Sequence, residues 1–283
     1  MTRIAYVNGA FLPAEEARIS VFDRGFLFAD GVYEVTTVIG GRMVDIASHM
    51  ARLERSVGEI GMRLAEPVER IAAIQGELVE RNALTEGVVY LQATRGAADR
   101  DFLPAPDLTP TLVIFTQAKP IVDTPASRTG IRVKTAPDLR WKRRDIKSVM
   151  LLAQVLAKRE AAAAGAQEAW MIEDGFVTEG ASSTAWILTA DNRLVTRPPS
   201  HATLPGCTAL AVSALAGELG LAIEHRPFTL DEAFAAKEAF ISAASSLVLP
   251  VIAIDDTTIG DGAPGPVARR LRELYVGAAL RGM

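Results

Sequence analysis

Lys147 sits near the end of the run Leu139-Arg140-Trp141-Lys142-Arg143-Arg144-Asp145-Ile146-Lys147-Ser148, where a basic loop gives way to an apolar stretch over 149–157. Leu152, Val155 and Leu156 recur at helical spacing and Lys158-Arg159-Glu160 turns outward, which predicts an amphipathic helix starting near Ser148. Lys147 would then stand at the positive end of a helix dipole, with Arg143 and Arg144 close in sequence. Both features disfavour an ammonium, which is how a lysine becomes an amine nucleophile. The alternative is a solvated lysine in a basic loop.

Three other places have residue types suited to chemistry. Glu179 shares a strand face with Val177, beside the small-residue loop Gly180-Ala181-Ser182-Ser183. It is either a solvated strand end or a buried acid with a cationic partner. Leu204-Pro205-Gly206-Cys207-Thr208 opens a helix that runs through 209–215 and ends near Gly220. A glycine turn with Thr208 at a helix start exposes backbone N–H groups, which can seat a phosphate or serve as an ordinary cap. No Gly-Lys-Ser/Thr follows, so this is not a Walker A loop. Tyr33 stands at the mouth of a strand over 32–38, on the face of Val35 and Thr37, with Val32, Glu34 and Thr36 opposite. Its hydroxyl either meets a ligand or is satisfied in the core.

Competing chemistries lack support. His49, His201 and His225 have no paired-ligand spacing, and with Cys207 the only cysteine a zinc site is not expected. There is no GxSxG elbow and no GxGxxG after a strand. The remaining set is a lysine, a strand carboxylate, a helix-start anion seat and scattered arginines. Pyridoxal phosphate needs these parts: a lysine for the Schiff base, a carboxylate facing the pyridinium nitrogen, and N–H groups plus an arginine for the phosphate. Each part alone also has an ordinary structural explanation.

These residues need an α+β scaffold to position them. The chain has 283 residues, 49% hydrophobic and 23% charged, with 30 basic against 34 acidic residues and a net charge of -4. That balance gives no basic field for nucleic acid. The start reaches Asn8-Gly9 too soon for a signal peptide, and no apolar run approaches the ~20 residues that span a bilayer. A soluble, cytoplasmic protein without membrane partners is expected. A hairpin is read around Asn8-Gly9, and turns at Asp23-Arg24-Gly25 and Asp30-Gly31. Met50, Leu53, Val57 and Ile60 form a helical stripe with His49 and Arg52 off it, and a second helix runs from Pro67 to about Asn82. Strands are expected over 88–94 and 111–116. Residues 1–118 would form an N-terminal α+β domain, 119–127 a linker and 128–283 a C-terminal domain. The latter holds a strand over 131–135, a hairpin around Asp174-Gly175, a strand over 185–188, one through Ala239-Phe240 into the turn 242–246, one over 248–254, and a helix from about Pro266.

Seven motifs in order carry a resemblance over almost the whole chain: Asp23-Arg24-Gly25, Phe28-Ala29-Asp30-Gly31-Val32-Tyr33-Glu34, His49-Met50-Ala51-Arg52-Leu53, Thr94-Arg95-Gly96, Arg140-Trp141 with Asp145-Ile146-Lys147-Ser148, Val177-Thr178-Glu179-Gly180, and Leu204-Pro205-Gly206-Cys207-Thr208. The chain resembles fold-type IV pyridoxal 5'-phosphate enzymes, and among them the bacterial D-amino acid aminotransferases. The resemblance implies a two-domain fold, with a smaller N-terminal α/β domain and a larger C-terminal pyridoxal phosphate-binding domain that has a β-barrel-like core. It implies Lys147 as the Schiff-base lysine and proton carrier and Glu179 as the partner of the pyridine nitrogen. Arg52, with backbone N–H groups of Cys207 and Thr208 past Gly206 and the Thr208 hydroxyl, would hold the phosphate. Leu204 would pack on the ring. Tyr33 and Arg100 would bind the substrate carboxylate, the arginine reaching in from the second subunit of a homodimer. The implied reaction moves an amino group from a D-amino acid, D-alanine foremost, to 2-oxoglutarate or pyruvate.

Two positions depart from the pattern. Phe102 stands where D-amino acid enzymes often carry a histidine, and Ala244 where many relatives place a phosphate-binding threonine, leaving Ser242 or Ser245 for that bond. Branched-chain L-amino acid aminotransferases, (R)-amine transaminases and aminodeoxychorismate lyases share the fold and remain alternatives. So does a non-catalytic binding or scaffold protein.

Overall fold

The structure, a computed structural model, describes residues 2–281. Two compact units divide the chain: one runs to Pro120 and regains Ile146–Met150, and the other comprises Ile121–Asp145 and Leu151–Arg281.

The first unit opens with β1 (Ile4–Val7) and β2 (Ala10–Pro13). The turn residues Asn8 and Gly9 both have positive φ, 45° and 99°, as a two-residue hairpin turn requires. Asp23-Arg24-Gly25, expected as a turn, instead starts the short helix α1 (Arg24–Phe28). The Asp23 carboxylate accepts from the Gly25 N–H at 2.8 Å as its cap. Next come β3 (Gly31–Ile39), β4 (Arg42–Met43), α2 (Ile46–Glu59), α3 (Val68–Arg81), β5 (Glu86–Thr94) and β6 (Thr111–Ala118). The strands form an antiparallel sheet in the order β2-β1-β6-β5-β3-β4. Helices α2 and α3 lie on it, and Leu53, Ile71, Ile74, Leu78, Leu91 and Ile114 between them are fully buried. Alternation along β3 is as read, with Val32, Glu34 and Thr36 facing inward and Tyr33 and Val35 half-buried.

The second unit contains α4 (Pro125–Thr129), β7 (Ile131–Pro137), α5 (Leu152–Ala163), β8 (Glu168–Glu173), β9 (Phe176–Gly180), β10 (Thr184–Leu188), β11 (Arg193–Thr196) and α6 (Cys207–Glu218). It continues with β12 (Ala222–His225), α7 (Leu230–Phe234), β13 (Glu238–Ala243), β14 (Leu247–Ile254), β15 (Thr257–Thr258) and α8 (Pro266–Arg281). Nine strands form a curled half-barrel sheet in the order β12-β11-β10-β13-β14-β7-β8-β9, with β15 on β14. Parallel pairs join β11 to β12, and β7 to both β14 and β8. Trp170, Phe228, Ile187 and Ile241 fill its core, and α6 and α8 pack on each other and on β13.

One expectation is overturned here. The helix read from Ser148 begins only at Leu152, because 146–150 is drawn into pairing with β3. Its supposed core stripe is in fact open: Leu152 is 70% exposed, and Val155 and Leu156 are about half exposed. Among the described residues no helix is long and apolar enough to cross a membrane.

Candidate active site

In the first unit, Lys147 is fixed by strand-like pairing rather than by a helix terminus. Its carbonyl accepts from the Tyr33 N–H at 2.9 Å, and the Val149 N–H donates to the Gly31 carbonyl at 3.1 Å. Val32 and Ser148 form an antiparallel bridge between these bonds. From α2, the Ser56 hydroxyl accepts from the Lys147 N–H at 3.3 Å. The cations expected to act on the lysine are compensated elsewhere. Arg143 pairs with Asp145 at 3.1 Å, and Arg144 donates to Glu173 at 2.7 and 2.9 Å. The half-buried Lys147 amine lies over the Tyr33 ring, 4.1 Å from its centroid, and has no acidic partner among the described residues. Tyr33 stacks on Tyr90 at 5.8 Å and Tyr90 on Phe115 at 4.9 Å, a ladder across β3, β5 and β6 that holds the ring under the amine.

Behind this face lies a cluster not anticipated from the sequence. His49 and Arg52, read as off the buried stripe of α2, are buried. Arg52 makes a fork on Glu34, with Nε to Oε1 at 2.8 Å and an Nη to Oε2 at 2.7 Å, and His49 Nδ1 meets Oε2 at 2.7 Å. Burial works to raise the Glu34 carboxyl, but the Arg52 guanidinium and then His49 override it and bring it down to about 2. Alternation had already turned Glu34 inward, and a carboxylate facing a helix with two bases one turn apart was the available signal.

In the second unit, Glu179 is a buried acid with a cationic partner rather than a solvated strand end; it is 5% exposed. Arg140 donates to Oε1, and the Leu204 N–H donates to both carboxylate oxygens at 3.3 and 3.2 Å. Burial pushes the Glu179 carboxyl above the ordinary range, while Arg140 and the Leu204 N–H draw it back. Arg140 is itself forked on Asp138 at 3.0 and 2.7 Å, and Asp138 also accepts from the Thr178 hydroxyl at 2.7 Å. Burial opposes ionisation of Asp138, but Arg140 holds it below the usual carboxylate range. Arg140 was visible only as part of a motif; its role as partner of Glu179 depends on β9 lying beside 138–140.

Gly206 caps α6, whose first residues Cys207 and Thr208 are buried, and Leu204 is half-buried just ahead of them. A Cβ at position 206 would meet Thr184 Oγ1 at 2.9 Å and Ala209 Cβ at 3.2 Å, so any larger residue here would press on Thr184 and on the first turn of the helix. Ser242, one of two hydroxyls read as a stand-in for Ala244, receives the Trp186 indole N–H at 2.9 Å, while Ser245 lies in the turn. Arg100 is exposed, its guanidinium 5.3 Å from the Phe28 ring and 5.7 Å from the Phe102 ring. Within the first unit, then, Lys147 and Tyr33 are together on a frame that α2 supports and Arg100 is in a separate aromatic cluster. Within the second, Glu179 and Leu204 share a direct bond at the approach to α6.

The amino-transferase class IV family matches residues 31–254. The D-alanine aminotransferase of Bacillus licheniformis is 39% identical over 267 residues, 94% of this chain and 93% of the relative. That of Staphylococcus aureus (strain MSSA476) is 36% identical over 271 residues, 95% of each. Among solved structures, a T.th. branched-chain amino acid aminotransferase, complexed with N-(5'-phosphopyridoxyl)-L-glutamate, superposes with a TM-score of 0.91 at 27% identity, covering all of this chain and 96% of the other. The Escherichia coli branched-chain enzyme, at 21% identity and a TM-score of 0.91 over 98% of this chain and 94% of its own, shares the fold. By sequence and architecture alike, the chain belongs to the class IV aminotransferases.

Proposed function

We propose that this chain transfers the amino group of a D-amino acid, D-alanine foremost, to a 2-oxo acid such as 2-oxoglutarate or pyruvate. The observation that carries the reading is near-full-length identity of 36–39% to D-alanine aminotransferases. A second reading, transfer from branched-chain L-amino acids, is favoured by the likeness to the T.th. branched-chain enzyme.

Class IV aminotransferases use pyridoxal 5'-phosphate. The donor set fits it: an amine without an acidic partner, a buried carboxylate held in place by two donors, and a helix start kept open by glycine. When bound, the cofactor supplies an electron sink for the charge left at the substrate Cα. Lys147 Nζ would hold the cofactor, and would take the α-proton of the substrate and carry it to its acceptor. The Tyr33 ring beneath the amine and the bonds to Tyr33 and Ser56 along its backbone limit where that amine can reach. Glu179 would face the pyridine nitrogen and keep it protonated. Arg52, the N–H groups of Cys207 and Thr208 and the Thr208 hydroxyl would receive the phosphate. Leu204 would pack on the ring, and Tyr33 and Arg100 would bind the substrate carboxylate.

A homodimer is part of the same reading. Phe26, Phe102 and Leu103 in the first unit, and Leu139 and Leu152 in the second, are each 70% exposed or more, and a second copy of the chain would have such apolar side chains to cover. A cytoplasmic location suits a chain whose single cysteine, Cys207, leaves no internal disulfide to form. The test is a panel of D-amino acids, L-amino acids and (R)-amines assayed with pyruvate and 2-oxoglutarate. D-Alanine should be turned over fastest; faster turnover of L-leucine or L-valine would replace this reading with the second. The purified protein should be yellow and should bleach with borohydride, leaving a stable adduct on Lys147.

A further inference from the structure

Arg272 lies on the buried face of α8 beside Ala268, Leu271 and Tyr275. Its guanidinium donates only to backbone carbonyls: Ser246 at 2.8 Å, Val248 at 2.6 Å, Val122 at 2.9 Å, and Ile121. Among the described residues no carboxylate accepts from it. A buried guanidinium used in this way acts as a rigid fork that fixes backbone.

What it fixes is strained. The carbonyls of Ser246 and Val248 flank Leu247, a fully buried leucine with φ of 59°. A leucine in the left-handed region persists only where its surroundings over-determine it. Leu247 ends the turn 244–246, which the Ser246 N–H closes onto the Ala243 carbonyl at 3.2 Å.

That turn emerges beside the start of α6, the proposed phosphate seat. Ser242, just before it, is paired across the sheet with Thr184, and the Thr184 hydroxyl is the atom that crowds Gly206 at the start of α6. The turn therefore leaves the sheet next to the strand end that borders the helix start. Ala244 brings no hydroxyl, and Ser242 is engaged by Trp186. An anion reaching this wall would meet Ser245, and its donors are useful only if the turn's conformation is fixed.

We infer that Arg272 is a positioning residue for the cofactor's phosphate: it locks the turn 244–246 around the left-handed Leu247 as a second wall of the anion seat at α6. The inference rests on the cofactor assignment above. Because Arg272 also grips the carbonyls of Ile121 and Val122, the same side chain ties that wall to the segment that opens the second unit.

The experiment compares the affinity of the full chain for pyridoxal 5'-phosphate and for pyridoxal, which lacks the phosphate, in wild type, Arg272→Lys and Arg272→Met. Thermal melts confirm that each variant is folded. Loss of charged donors to the turn should weaken pyridoxal 5'-phosphate binding by about tenfold or more in Arg272→Met. Pyridoxal binding should change by less than about threefold, since its contacts lie elsewhere. Arg272→Lys, which keeps a single donor head, should fall between wild type and Arg272→Met, and stands alone if the methionine variant does not fold. Equal losses for both ligands, or none for either, would overturn the inference. Failure of the wild type itself to bind pyridoxal 5'-phosphate would instead overturn the cofactor assignment.

Discussion

Replacing Glu34 with Gln keeps the shape of a fully buried side chain and removes its charge. In the wild type the carboxylate is held by two bonds from Arg52 and one contact to His49, and its carboxyl lies at about 2 against an ordinary 4.5. That displacement corresponds to about 3 kcal/mol of stability at neutral pH. The range of ~3–5 kcal/mol for breaking a buried ion pair from one side is of the same size. The sign follows from the depressed folded-state value. The stabilisation is complete above the unfolded value of 4.5 and is lost as pH falls toward about 2, with about 2 kcal/mol of it gone by pH 3. Urea unfolding of wild type and Glu34→Gln, at matched cofactor content and constant salt, should show a gap of about 3 kcal/mol at pH 7 that narrows to about 1 kcal/mol near pH 3. Taking the difference between the two proteins cancels the other carboxylates that titrate in this window. A gap that stays constant across the range would show that the charge on Glu34 is not what holds α2 to β3.

Lys147→Ala should abolish transamination, and turnover above the background of free cofactor would remove the lysine from its assigned role. Arg140→Met takes the guanidinium away from two buried carboxylates, so the Glu179 carboxyl should rise further; the acidic limb of the kcat profile should move to higher pH with a loss of about tenfold or more at neutrality. An unmoved limb would mean that Glu179 does not depend on Arg140 for its charge. Arg100→Ala should raise KM for the amino donor by about tenfold while kcat stays within about threefold; an effect on cofactor retention alone would show that this arginine serves the phosphate rather than the substrate.

Local rules recovered the elements whose ends carry their own chemistry. Pro67 and Asn82 bracket α3 as expected, and the Asn8-Gly9 and Asp174-Gly175 turns both take the positive φ that their residue types favour. The two sheets follow the alternation and run lengths of their longer strands; β4, β11, β12 and β15, like the short helix α7, have too few residues to rise above their surroundings. Lys147 and Glu179 were legible as residues but not as environments. The apolar run after Ser148 has the spacing of a helix, and only tertiary pairing with β3 delays the helix to Leu152. The pairs Glu34–Arg52 and Glu179–Arg140 join residues 18 and 39 positions apart, so no spacing rule brings them together. Position 272 looks like any surface arginine of an amphipathic helix until the carbonyls of Ser246 and Val248 are seen to converge on it.

The return of Ile146–Met150 to the first unit has a consequence for synthesis. A nascent chain that has emerged only as far as Pro120 has the six strands of the first sheet but not the piece that lies along the edge residues 31–33. That piece arrives after the opening portion of the other unit has left the ribosome, so the earlier half cannot be finished before the later half has begun. Cutting the gene after Pro120 should therefore give a fragment that lacks Lys147 and its neighbours, and no simple pair of excised halves would reproduce the division seen in the folded chain.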